Sequence, residues 1–556
     1  MTSHQRIGSS SRNILVGWYL YLWGGITGGV MLAPFVLSPY DSGTLLTTLG
    51  LGLAAAAVSV PCGILLAWVS CGRRWINRLM LVSILAMLPI PIFIQVSAWD
   101  AALGRLGWVT MIEGQVLVPL LSGWKAAGWI HGLSAAPQVA IILLVGFISG
   151  GQTLEEQGLL ETSRWRVALY ITFPRMFPLI IVGMLWTMIV CSREIAATDL
   201  YRVGTIAEQV YLGYSLGQFN ALAGNWSAED LVAAAQLNLL LAILMIAWFV
   251  ATALMLVIPF FRSETDINDM SRFWKFQQEG ARPKGVRQLK CGVAILLWTV
   301  LIIIPVSNLI VRASYFVRSI DGEPTPQYSL AQVGRVLLRA SRDYTSEFFW
   351  SATIAIVAST LILVVSAVLA WKARRSRFWK GILIGSFVFS CAIPGPMMGT
   401  ILIHLFGWVD HGWLRWLYDR TIAAPVLATA WFCFPIPPLV VWFLFKGIPR
   451  ELIDSIRLEG GGGFRQFWRL GILDFWPQWL GIGMLTFCFC FGELSAAQLV
   501  IPPGIDTIPR LMLGLLHAGV DEMTAALTLI LVGAMVVLAV GAWGVFVLLF
   551  PTAQQK

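Results

Sequence analysis

The sequence predicts an all-α polytopic membrane protein of about twelve transmembrane helices, arranged as two parallel six-helix repeats. Three observations predict this: the composition, a series of apolar runs of bilayer length, and a segment that occurs twice. The 556 residues are 58% hydrophobic and only 12% charged, with a mean hydropathy of +0.77. A water-soluble domain cannot bury that much apolar surface.

A hydrocarbon core of about 30 Å needs about 20 apolar residues per helix. Twelve runs meet the requirement, near 13–37, 45–70, 76–103, 127–149, 178–198, 231–260, 290–311, 348–371, 381–406, 421–445, 476–500 and 523–550. The first follows a basic stub but is too long for a cleaved signal, so it reads as a retained helix. The net charge of +9 does not point to nucleic acid, because the basic residues sit in short loops beside helix ends. Arg73, Arg74 and Arg78 form one cluster, and Arg374, Arg375, Arg377 and Lys380 another. The excess of Lys and Arg in cytoplasmic loops puts both clusters, both termini and the mixed-charge segment 261–289 on the cytoplasmic side. Arg318, Arg335, Arg339 and Arg342 lie on the predicted outer side, in a loop long enough for the bias to weaken. The eight cysteines are scattered, with no paired CxxC motifs, so neither a zinc site nor a disulfide framework is expected.

The repeat carries the most information. "LEEQGLLETSRWRVALYITFPRMFP" starts at Leu154, and "LIDSIRLEGGGGFRQFWRLGILDFWP" starts at Leu452. Glu156 matches Asp454, Leu160 matches Leu458, Glu161 matches Glu459, and Pro178 matches Pro477. Sixteen residues past each of these prolines comes "REIAATDL" or "GELSAAQL", which pairs Glu194 with Glu493. "LPIP" at Leu88 pairs with "IPGP" at Ile393, and "AAP" occurs at both Ala135 and Ala423. Six predicted spans separate the two loops, an even number, so both loops face the same side and the halves are parallel repeats. The first half is 1–260 with a core of 45–260, 261–289 is a cytoplasmic linker, and the second half is 290–556 with a core of 348–550.

An acidic residue, small residues, Leu-acidic-Gly, an aromatic and then proline, placed between the fourth and fifth spans of each half, resembles the EAA loop of type-1 ABC transporter permeases. The E-x-[AS]-A ending, with "TDLYRVGTIAEQVYLGY" and "IPPGIDTIPRLMLGLLHAG", is most similar to fused two-domain permeases of the ferric-iron uptake type. The resemblance covers roughly 45–260 and 348–550. It implies a permease subunit of a binding-protein-dependent importer in a bacterial inner membrane. The implied partners are two ATP-binding cassette ATPase subunits and an extracytoplasmic solute-binding protein. Membrane lipid surrounds the chain, and neither a cofactor nor nucleic acid is implied. The solute is ferric iron or another small solute such as thiamine or a phosphonate.

In each loop, at 151–177 and 447–475, a short amphipathic helix is expected to end where glycine permits φ > 0 and a second helix to lead into the membrane. The resemblance implies that this knuckle docks on the ATPase, through Glu156, Glu161, Thr162 and Ser163 in one copy and Asp454, Glu459, Gly460, Gly461 and Gly462 in the other. Glycines alone also fit a flexible connector. The first copy has Thr162 and Ser163 in place of glycines, where a hydroxyl could cap the next helix. The second has Leu473 in place of Pro174, so the two couplings are expected to be unequal. No Gly-Lys dipeptide occurs, so no phosphate-binding loop of the G-x-x-x-x-G-K-[ST] type is present, and ATP hydrolysis is expected in separate subunits.

Charges within apolar spans are costly and are candidates for function. Glu194 and Glu493 are expected near the outer end of the fifth helix of each half. There they would ease a cation into the pathway, hold a gate shut through hydrogen bonds to helix ends, or be satisfied locally. Asp100, Arg193 and Asp199 also fit positions in the outer interface, and His404 fits a packing histidine. A major-facilitator-like secondary transporter shares the parallel halves, but "SCGRRWINRL" lacks the acidic residue usual in the loop between spans two and three of that class. A membrane-embedded enzyme ranks last, since no H-E-x-x-H occurs.

Overall fold

The computed structural model describes residues 42–72, 74–110, 119–149, 152–215, 284–320, 323–407, 412–448, 450–458 and 463–549. The predicted spans 13–37 and 231–260 lie outside these residues, as does most of the linker. Long apolar helices dominate, and among the described residues six of them, including Leu46–Ser70, Gly123–Leu144, Met176–Arg193 and Thr345–Ala373, have the length and composition to cross a membrane.

The described elements repeat in order. Ser42–Ser70 and Thr345–Ala373 are both helices of 29 residues. Each is followed by a sharply bent pair, Trp75–Met87 with Ile92–Leu103 at 102° and Arg377–Ala392 with Gly395–Phe406 at 100°. The sequence predicted a continuous span at each of these places. The breaks fall at Pro89 and Pro91 in one half and at Pro394 in the other. Proline lacks the N–H that a continuing helix needs, and it keeps the residue before it out of the α region. The predicted span 421–445 is likewise two helices, Ala423–Cys433 and Ile436–Lys446, bent by 57° at Pro435. Pro61 and Pro137, by contrast, lie inside unbroken helices.

The fifth span of each half also ends earlier than predicted. Phe173–Arg193 and Trp476–Phe491 stop just before the paired glutamates, and Pro178 lies inside the first of these helices instead of opening it. A short helix, Ala196–Leu200, follows in the first half and an irregular segment in the second, and then come the helices Ile206–Ser215 and Ile508–Ala518.

The halves exchange contacts. Ile206–Ser215 packs on Gly395–Gly407, and Ile508–Ala518 packs on Ile92–Leu103. The apolar run Gly285–Ser314, which opens the second repeat, packs on elements of the first half. Along it Lys290 Nζ donates to the Cys71 carbonyl at 2.8 Å, Trp298 Nε1 to Ser83 Oγ at 3.1 Å, and Asn308 Nδ2 to the Ala98 carbonyl at 3.2 Å. Its far end leads into a two-stranded antiparallel hairpin, Tyr315–Ile320 with Glu323–Tyr328, an addition to the all-α expectation.

Candidate functional site

Two regions carry the chemistry: a pair of helical knuckles, and the meeting of the two halves at the paired glutamates. In the first knuckle, Gln152–Glu161 is followed by Arg164–Val167 and a π-helical segment, Ala168–Thr172. Glu156 lies within the first helix and Glu161 ends it. Backbone bonds close the turn, from Thr162 N–H to the Gly158 carbonyl at 2.9 Å and from Val167 N–H to the Ser163 carbonyl at 3.0 Å. Gly158 lets the helices approach, because a Cβ there would sit 2.6 Å from Ile171 Cδ1.

The second knuckle repeats this plan with Arg450–Leu458, Gly463–Gln466 and the π-helical Phe467–Leu473. Asp454 is exposed on the first helix, whereas Glu459, Gly460, Gly461 and Gly462 lie outside the described residues. Ile453, Ile456 and Leu470 are buried against Val441 and Phe445. Trp371 packs edge-on against both Phe445 and Phe467, with centroids 5.4 Å apart in each case. The knuckle therefore rests on a packed aromatic base.

Sequence reasoning singled out the charged and glycine positions of these loops. The structure adds apolar side chains that nothing covers. Leu160 is 87% exposed and its repeat partner Leu458 is 91% exposed. Trp165 and Phe464, each thirteen residues before its paired proline, are 76% and 78% exposed. The Leu160 and Leu458 match was present in the sequence alignment, but exposure is not legible there. Matched apolar residues held in the open on two anchored knuckles form the kind of patch that marks a protein contact.

At the other region, Glu194 closes its helix, Glu493 follows Gly492 at the end of its helix, and each then caps the segment that follows. Glu194 accepts from Ala196 N–H at 3.0 Å and Ala197 N–H at 3.5 Å. Glu493 accepts from Ala496 N–H at 2.6 Å, from Ala497 N–H at 3.2 Å, and from Thr429 Oγ1 at 3.4 Å. The backbone donors of both carboxylates lie two to four residues along the chain. The two sites also meet, since Ser495 Oγ accepts from Ile195 N–H at 3.2 Å and donates to Glu194 Oε1 at 3.3 Å. Ser495 also packs tightly within its own half, since a Cβ on Gly395 would lie 2.5 Å from Ser495 Cβ.

The remaining intramembrane candidates divide. Asp100 is not at an open interface but buried, accepting from the Tyr201 hydroxyl at 3.4 Å. Asp199 Oδ2 lies 3.5 Å from His517 Nε2, and both line a cavity of about 550 Å³ between the halves, together with Tyr211, Gln498, Asp506 and Arg510. His404 is exposed near the end of Gly395–Gly407, so it is not the packing histidine that was expected. Arg193 is buried and reaches the other half. Among the described residues, no group of three or more His, Cys, Asp or Glu is placed to hold a metal.

Comparison with known proteins finds permeases of transport systems. The chain is 24% identical over 195 residues to the putrescine transport system permease protein PotI of Escherichia coli, covering 35% of the chain and 69% of that protein. It is 24% identical over 197 residues to YvgM of Bacillus subtilis, named as a molybdenum transport system permease, covering 33% of the chain and 86% of that protein. The maltose/maltodextrin permease protein MalF of Escherichia coli is 22% identical over 212 residues, 34% of the chain and 40% of that protein. No family model and no solved structure matches. A predominantly helical membrane fold thus goes with kinship to transport permeases. The chain is a homologue of type-1 ABC transporter permeases.

Proposed function

We propose that the chain is the membrane-spanning subunit of a binding-protein-dependent ABC importer, in which 1–260 and 290–556 each supply one permease half and 261–289 joins them. Separate ATPase subunits, one per knuckle, dock at 151–177 and 447–475 on the cytoplasmic side of a bacterial inner membrane. Both termini lie on that side, and a solute-binding protein delivers a small solute to the other. Ferric iron is the substrate that the sequence resemblance suggests, while relatives named for molybdenum, putrescine and maltose widen the class to small solutes. The reading rests on one observation: two matched knuckles present Leu160 with Trp165 and Leu458 with Phe464 to the surface, and each leads by one helix to a paired glutamate at the contact between halves. A major-facilitator mechanism has no use for twin docking knuckles.

The test is reconstitution. The purified chain alone should show no ATPase activity above background, and with the partner ATPase it should bind two copies per chain and gain solute-dependent hydrolysis. Robust turnover by the isolated chain, or binding of a single copy, would overturn the reading.

A further inference from the structure

The helix Phe173–Arg193 links the first knuckle to the contact between the halves, and at 1.5 Å per residue its 21 residues span about 31 Å. Its last residue does not stay in its own half. Arg193 is 5% exposed, and its side chain crosses to the second half, where Nε donates to the Ile393 carbonyl at 3.4 Å and Nη2 to the Phe432 carbonyl at 3.1 Å. The guanidinium carbon lies 4.3 Å from the centroid of the Phe432 ring.

Both acceptors sit where helices are interrupted. Ile393 is the C-cap of Arg377–Ala392, next to Pro394, and Phe432 is in the last turn of Ala423–Cys433, just before the break at Pro435. The last carbonyls of a helix have no intrahelical donor and carry the negative end of the helix dipole. A guanidinium suits this place because it donates to two acceptors in its plane while its face stacks on an aromatic ring. Among the described residues no carboxylate lies within ion-pair distance of Arg193. The cation therefore serves as a cap for two helices of the opposite half.

The repeat does not copy this device. Gly492 occupies the matching position, and it lies so close to Pro91 of the first half that a Cβ would collide with the proline ring. At this pair of positions the first half thus grips its partner with directional, charge-assisted bonds, whereas Gly492 makes only a close van der Waals contact.

We propose that Arg193 is a positioning residue that clamps the two halves at the gate, and that this clamp has no copy in the repeat: motion of the first knuckle loads these bonds through the helix that ends at Arg193. The link to knuckle motion rests on the transport reading above, whereas the clamp itself can be tested without ATPase or solute. Spin labels at Leu212→Cys and Gly514→Cys, on either side of the cavity between the halves, report their separation in the full chain in lipid nanodiscs. Cys291→Ser removes the one cysteine exposed among the described residues. With Arg193 present, electron–electron resonance should give one narrow distance distribution. Arg193→Gln should add a second, longer population at least tenfold above the wild-type level, and Arg193→Lys, which keeps the charge but not the fork, should lie between. An unchanged distribution in Arg193→Gln overturns the clamp. If that variant fails to accumulate, Phe432→Leu removes the ring but keeps both carbonyls: a longer population supports the clamp, and the wild-type distribution overturns it. Failure to bind an ATPase would count against the transport reading and leave these distances as they are.

Discussion

Ser495 in the second half serves two groups of the first half at once, accepting the Ile195 N–H at 3.2 Å and donating to Glu194 Oε1 at 3.3 Å. A hydroxyl can accept and donate together, which neither alanine nor valine can do. Ser495→Ala should therefore lower the thermal midpoint of the purified protein, at a cost of about 1–3 kcal/mol for leaving buried polar groups unpaired. Ser495→Thr keeps the hydroxyl and should retain most of the stability. Equal midpoints for Ser495→Ala and the wild type would remove this bridge from the account.

The paired glutamates allow a sharper test. Each carboxylate accepts two backbone N–H groups, and a glutamine amide presents only one oxygen, so its NH₂ would face a donor. Glu194→Gln and Glu493→Gln should each cost about 1–3 kcal/mol, and the double variant should transport poorly at equal protein level. Normal uptake in the double variant would take the pair out of the transport mechanism.

On the knuckles, the exposed and the buried apolar residues should respond in opposite ways. Leu160→Asp with Trp165→Ala, or Leu458→Asp with Phe464→Ala, should weaken ATPase binding tenfold or more, about 1.4 kcal/mol, without changing the amount of protein in the membrane. Ile453→Ala, within the base of the second knuckle, should instead destabilise the fold by about 2–5 kcal/mol. Replacing Gly460 and Gly461 with valine should uncouple hydrolysis from uptake, because β-branched residues resist φ > 0, with smaller effects from matching changes at Thr162 and Ser163. Co-purification and coupled transport assays distinguish these outcomes.

Glycines within the helices give a further contrast. At Gly395 a Cβ would lie 2.5 Å from Ser495 Cβ and 2.8 Å from the Ser495 backbone carbon, whereas at Gly385 nothing lies within 4 Å. Gly395→Ala should destabilise by about 1–3 kcal/mol through overpacking. Gly385→Ala, on an open helix face, should stabilise by about 0.5–1 kcal/mol. Thermal midpoints moving in the same direction would refute the packing argument.

Sequence periodicity and length made most of the helices legible, and the internal match made the repeat legible. The breaks at Pro91 and Pro394 were recorded as matched motifs yet read as continuous spans, because hydropathy measures apolar length and not direction. The same limit carried the fifth spans through Glu194 and Glu493, where the chain turns and the carboxylates bond to it. Arg193 was noted as an intramembrane charge, but its partners, Ile393 and Phe432, lie 200 and 239 residues away and leave no local signal. The knuckle positions were legible from the motif. The solvent exposure of Leu160 and Leu458 was not, since it depends on what the rest of the fold leaves uncovered.

The packing of Gly285–Ser314 on the first half has a consequence for biogenesis. Cys71 and Lys290, which bond in the finished protein, are 219 residues apart. At translation rates of about 5–20 residues per second, the ribosome needs roughly 10–40 s to pass from one to the other. For that interval the newly inserted first half stands in the bilayer without the donors that Lys290, Trp298 and Asn308 bring to it, and lipid or an insertion factor must cover the face they will occupy. Stalled nascent chains ending before residue 284 should therefore be degraded or held by the insertion machinery, while chains stalled beyond 314 should release.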